Sequence, residues 1–216
     1  MADQVLPFGT WPSPLTPADA VAGAPRFGDV AVVDGPDGPV VRWTEGRPSE
    51  GGRSALVEWR DGRPADLVVE RSVRTRVNEY GGGSFWVVDG QVVLVDDADA
   101  RPYLLGGEGP VALAPEPPSS RAWRYAAGSG PAAGGWCVVE RERHCDEDGR
   151  PFDEAVNDLC LLDHAAGQVV ELFAPGGPGT GDFMAAPTVS PDGTRLAWLR
   201  WDHPDMPWDA AELWCA

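Results

Sequence analysis

The feature that most constrains this chain is a repeat of about 50 residues. Four short segments share one plan, a polar start followed by apolar residues: Ser54–Trp59 (SALVEW), Arg101–Leu105 (RPYLL), Asn157–Leu162 (NDLCLL) and Ala211–Cys215 (AELWC). Their starts are separated by 47, 56 and 54 residues. Two strand candidates precede each segment, and one more follows each of the first three. In the first unit these are Val30–Val33, Val40–Trp43 and Ala65–Val69; in the second, Gly83–Val88, Val92–Val95 and Val111–Ala114. The third has Trp123–Ala126, Trp136–Glu140 and Val169–Phe173, and the fourth Ala186–Val189 and Leu196–Trp201. Four strands at this period is the pattern of a β-propeller blade. A β-sandwich would space its strands regularly without long-period self-similarity.

The punctuation agrees. The 27 glycines and 22 prolines fall between apolar runs and not in tracts, as tight turns require. Asp34-Gly35-Pro36-Asp37-Gly38 and Asp89-Gly90 are hairpin-turn chemistry. Ten tryptophans supply large surfaces for a β core. Leu6–Pro17 is too proline-rich for a central strand, and Ala18–Ala24 is expected to hold one helical turn, with Thr16 as N-cap and Pro17 in first position. The expected fold is therefore all-β: a partial propeller with an extended leader over 1–26, blades over 27–70, 71–115 and 121–175, and three strands of a fourth over 185–216. The last strand, Glu212–Cys215, ends with the sequence and exposes an edge, so the chain reads as the opening part of something longer and as prone to self-pairing.

Seventeen arginines, no lysine and 34 acids give a net charge of −17, which argues against nucleic acid or an anionic membrane as partner. The cysteines, Cys137, Cys145, Cys160 and Cys215, have no C-x-x-C spacing and read as reduced, buried hydrophobes. The N-terminus lacks the basic and apolar regions of a secretory signal, and no apolar stretch approaches bilayer length, so a cytoplasmic location is expected. No cofactor and no metal are expected. Glu142–Asp153 (ERHCDEDGRPFD) is rich in acids, but Asp146-Glu147-Asp148-Gly149 lacks the alternating ligands of a calcium loop and reads as a solvated hairpin tip. Ser190–Thr194 reads as a structural turn in which Asp192 caps backbone N–H groups.

Four stretches carry a resemblance to a known family: Phe8–Thr16 (FGTWPSPLT), Glu45–Arg53 (EGRPSEGGR), Arg74–Gly83 (RTRVNEYGGG) and Trp201–Asp209 (WDHPDMPWD). They resemble the dipeptidyl aminopeptidase and acylaminoacyl-peptidase branch of the prolyl oligopeptidase (S9) serine peptidases, with Asp205 where asparagine is expected. The resemblance implies an N-terminal propeller that gates a C-terminal α/β-hydrolase domain carrying a Ser-Asp-His triad. None of the nine serines lies in G-x-S-x-G, and Ser129, flanked by Gly128 and Gly130, has the wrong spacing. His144, His164 and His203 have no such nucleophile to serve, so no catalytic residue is assigned and the chain alone is expected to be inactive.

The implied partners are short peptides and the hydrolase domain. Arg74, Arg76, Glu79 and Tyr80 are substrate-binding candidates, with Glu79 suited to an amino group and the arginines to a carboxylate or carbonyl. The alternative is structural: Arg and Glu pair with each other in a blade connection while Tyr80 packs. Trp201, His203 and Trp208 are candidates for the face toward the hydrolase domain, or else for a self-packed loop. The rival reading of the whole chain is a stand-alone TolB-like propeller that binds protein or peptide. A sialidase-like glycosidase is weaker, because no carboxylate pair stands at a defined site.

Overall fold

A computed structural model describes residues 7–10, 12–21, 23–35, 38–173 and 176–216. Trp11 of the first family-like stretch, and Pro36 and Asp37 of the first expected hairpin turn, lie outside the described residues.

The leader contributes one helical turn, α1 (Pro17–Val21). It is closed as a capping box: the Asp19 N–H donates to Thr16 Oγ1 (3.1 Å), and the Thr16 N–H donates to Asp19 Oδ2 (2.8 Å). Among the described residues fifteen strands follow, in four antiparallel sheets with neighbouring strands consecutive in sequence. The first sheet is β1 (Arg26–Gly35), β2 (Gly38–Arg47), β3 (Arg53–Arg60) and β4 (Arg63–Asp66). The second is β5 (Phe85–Val88), β6 (Gln91–Val95), β7 (Pro102–Gly106) and β8 (Gly109–Ala112). The third is β9 (Trp123–Ser129), β10 (Trp136–Cys145), β11 (Pro151–Asp163) and β12 (Gln168–Glu171). The fourth has three strands, β13 (Phe183–Val189), β14 (Leu196–Trp201) and β15 (Glu212–Cys215). Three four-stranded blades and three strands of a fourth form a propeller arc.

The period-two geometry of a strand explains how the blades stack, because successive side chains leave a sheet on opposite faces. Phe85 and Leu94 join Leu56 and Val73 in a core between the first and second blades. Their neighbours Trp86, Val93 and Val95 join Cys137, Val139, Cys160 and Leu162 between the second and third. In turn Val138 and Leu159 meet Met184, Val189 and Trp198 between the third and fourth. Each inner strand thus feeds two cores with one alternating run.

Polar ties fix the stacking. Thr75 Oγ1 donates to the Tyr125 carbonyl (2.6 Å), the Ala127 N–H to the Gly83 carbonyl (2.8 Å), and the Val189 N–H to Ser129 Oγ (2.9 Å). Ser129 therefore does structural work. Gly128 beside it is required by sterics, since a Cβ there would sit 2.1 Å from the Trp86 ring. The Ser190–Thr194 turn is built as expected: Asp192 Oδ1 accepts from the Thr194 N–H (3.1 Å) and from both hydroxyls.

Three details depart from the sequence reading. The fourth strand of the first blade lies at Arg63–Asp66, earlier than Ala65–Val69, because the tight turn at Asp61-Gly62 pairs Arg63 directly with Arg60. The loop after β14 holds a helical turn, α2 (Pro207–Ala210). Most consequentially, β10 runs on through Glu142 and His144 to Cys145. Glu142 is only 2% exposed, so the solvated tip shrinks to residues 146–150.

Candidate functional site

In the first blade the backbone that begins the first strand and the link between second and third strands share one end of the sheet. The same end of the other blades gathers Arg124, Glu142, Asn157, Phe183 and Trp201, together with the loop Val77–Gly81 that leads into the second blade.

That loop is tight. Asn78 and Glu79 are consecutive non-glycine residues in the left-handed region (φ 52° and 64°), followed by Gly81 at 89°. Only glycine serves at 81, where a Cβ would lie 2.8 Å from the Thr75 carbonyl oxygen. Side chains of the third blade hold the loop in place. The Asn78 N–H donates to Glu142 Oε2, and Asn157 Nδ2 donates to Asn78 Oδ1 (2.9 Å). Strained residues held by a neighbouring element are a common mark of a functional site.

A cleft of about 700 Å³ opens beside the loop. One wall is acidic. In β10 the alternation Glu140, Glu142, His144 places three titratable groups on one face, of which Glu142 and His144 line the cleft while Glu140 is buried outside its lining. Arg141 and Arg143 lie on the other face, where both bind Asp158, and the Arg143–Asp158 pair also borders the cleft. The register sets Glu142 between Arg124 of β9 and Asn157 of β11. Arg124 Nη1 bridges Glu79 Oε1 (2.7 Å) and Glu142 Oε1 (3.0 Å), and His144 Nε2 also meets Glu142 Oε1. The Arg124 hydrogen bond holds the Glu79 carboxyl below the usual range. Glu140 behaves oppositely: burial, then the Glu142 carboxylate, push it up to about 8, so at neutral pH it largely carries a proton. Among the described residues Asn157 Oδ1, also buried, has no hydrogen-bond partner.

The opposite wall is aromatic. Phe183 stacks on Trp201 (centroids 5.2 Å apart, 11° between planes) and takes His203 edge-on at 4.8 Å. Met206 and Phe173 also line the cleft.

Glu79, Tyr80, Trp201 and His203 of the expected residues all line this cleft. Arg76 does not: it is engaged by Asp97 (2.8 Å). Thus Arg76 and Glu79 are both ion-paired, but with partners in other elements and not with each other. Tyr80 is 64% exposed at the rim and does not pack away. Trp208 is exposed in α2 and stands outside the cleft. Arg74 is exposed and lines a separate groove of about 460 Å³, on the other side of Tyr80, between the first and second blades.

Sequence reasoning passed over Arg124, Glu140, Asn157 and the inward role of Glu142 and His144. Their signal was the alternating E-R-E-R-H of β10, polar residues continuing a strand that began apolar. Glu79, Glu142 and His144 each bring a ligand-type atom within 4.8 Å of the others. The Arg124 guanidinium, however, already supplies the positive charge between the two carboxylates, so the arrangement suits an organic cation at its rim better than a metal at its centre.

No family model matches the chain, and no curated protein does. Solved structures do. Over 99% of its length the chain is similar to a puromycin-hydrolyzing peptidase of Mycobacterium tuberculosis, with 32% identity and a TM-score of 0.78. A structure described as puromycin hydrolase matches over the same share at 29% identity and a TM-score of 0.78. The chain spans 33% of the length of each. TolB from Acinetobacter baumannii, at 13% identity, 85% coverage of this chain, 40% coverage of its own and a TM-score of 0.50, shares the fold.

Proposed function

We propose, from the premise that this chain corresponds to the N-terminal β-propeller region of S9 serine peptidases, that it admits short peptides and holds their free amino end. The observation that carries this is an excess of acceptors in the cleft. Glu79 spends one carboxylate oxygen on Arg124, while its side chain remains 77% exposed. Asn157, which also lines the cleft, leaves its Oδ1 unpaired. An ammonium group brings three donors and a positive charge to such a place. The Phe183–Trp201–His203 wall offers an apolar surface to the first side chains of the peptide.

Hydrolysis itself is assigned to groups that this chain does not carry, since its sequence has no G-x-S-x-G elbow. The purified chain is expected to leave aminoacyl and acylaminoacyl p-nitroanilides intact. Puromycin, which the two similar proteins hydrolyse, is the first small ligand to titrate. Calorimetry with a short alanine peptide and its N-acetylated form tests the reading. The free amine should bind at least about tenfold more tightly, the size of one charge-assisted hydrogen bond, and Glu79→Gln should erase the difference. Equal affinity of the two forms would overturn it.

A further inference from the structure

In a chain with twice as many acids as arginines, an arginine without an acid partner is the exception. Among the described residues, every arginine except Arg26, Arg63, Arg74 and Arg195 has a carboxylate within 4.0 Å. Arg63 and Arg195 stand apart, in the outer strand of the first blade and beside the Ser190–Thr194 turn. Arg26 and Arg74 instead line one groove, at the same end of the blades as the acidic cleft. Tyr80 borders both cavities.

From this juxtaposition we infer that the Arg26–Arg74 groove is a carboxylate site, and that the two cavities together select short peptides with a free carboxyl group. The inference rests on the amino-end reading of the cleft and extends it. An anion approaching a chain of net charge −17 meets repulsion over most of its surface and attraction where unneutralised guanidinium groups cluster. Arg47, also in the groove, cannot serve, because Asp66 takes it at 2.6 Å and Glu45 at 2.7 Å. Gly81 and Gly82 line the groove without side chains, which lets a peptide backbone come close beside Tyr80. A peptide lying across Tyr80 would meet acceptors at one end and cations at the other, so its direction is fixed as well as its length.

The test is calorimetry on the full chain with alanine peptides of two to five residues. Each is compared with its C-terminal amide, with its N-acetyl form, and with an amide ending in glutamate. At the length that spans Tyr80, amidation should weaken binding about tenfold, and the double variant Arg26→Gln/Arg74→Gln should bind acid and amide alike. Arg195→Gln, which removes an unpaired guanidinium elsewhere, should preserve the preference. If the glutamate-ended amide regains the lost affinity, a side-chain carboxylate serves as the anchor; if it does not, the terminal carboxylate is specific. Acid and amide binding equally at every length would overturn the carboxylate site, as would an Arg195→Gln effect equal to that of the double variant. Loss on acetylation without loss on amidation would refute the groove and leave the cleft standing. Indifference to both changes would refute the two together.

Discussion

Glu140 should make the chain less stable as pH rises through neutrality, and one amide should remove that dependence. The carboxyl is 5% exposed, has Asn78 Nδ2 at 3.4 Å as its side-chain donor, and lies on the same face of β10 as Glu142. It titrates at about 8 in the folded chain against 4.5 in an unfolded one. A group whose folded pKa is raised leaves its full stability in place below the unfolded value and loses it as pH climbs toward the folded value. At about 1.4 kcal/mol per pH unit, the fully ionised side chain costs folding about 5 kcal/mol, and the loss between pH 6 and pH 9 is about 2.7 kcal/mol. Glu140→Gln keeps the shape and the donor contact but cannot ionise. Urea unfolding followed by tryptophan fluorescence at pH 6 and pH 9 measures the difference. The gap between variant and wild type should move in the variant's favour by roughly 2–3 kcal/mol across that interval. A gap that is the same at both pH values would refute the assignment of a buried, protonated acid.

Two further expectations follow from the cores. In the native chain a thiol reagent should modify Cys215 alone, because Cys137, Cys145 and Cys160 are buried and burial pushes the Cys137 thiol to about 12; four thiols should react in denaturant. Trp198→Ala should cost about 3–5 kcal/mol in urea unfolding, since this 2%-exposed ring packs near Phe173 and Trp214 and donates to the Gly179 carbonyl at 2.9 Å.

The blades were legible because each inner strand must be apolar on both faces to fill two cores, and such runs announce themselves at a regular period. Outer strands carry one buried face at most. β4, with Asp66 tied to Arg47 and Arg53, has no hydrophobic signature at all, which is why its position had to come from the turn before it. The acidic wall was hidden for a related reason. Nothing in E-R-E-R-H says which charges face water, since Glu142 is buried by Asn78 and Arg124, 64 and 18 positions away in sequence. The Arg74–Gly83 stretch did mark the loop that closes the cleft, although it could not say that Arg76 is occupied by Asp97 while Arg74 faces a different cavity.

The loop bearing Asn78 and Glu79 belongs to the approach to the second blade, yet its hydrogen bonds run to the third, and the aromatic wall opposite belongs to the fourth. No single blade owns the cleft, so its shape is a gauge of how the blades are fanned. A small change in the angle between sheets would part Asn78 from Glu142 and separate donor from acceptor before it disturbed any strand. Conversely, a ligand seated there behaves as a rivet through three blades. At a concentration 100 times its dissociation constant it would hold the arc by about 2.7 kcal/mol, and the seams it crosses are the ones that resist opening.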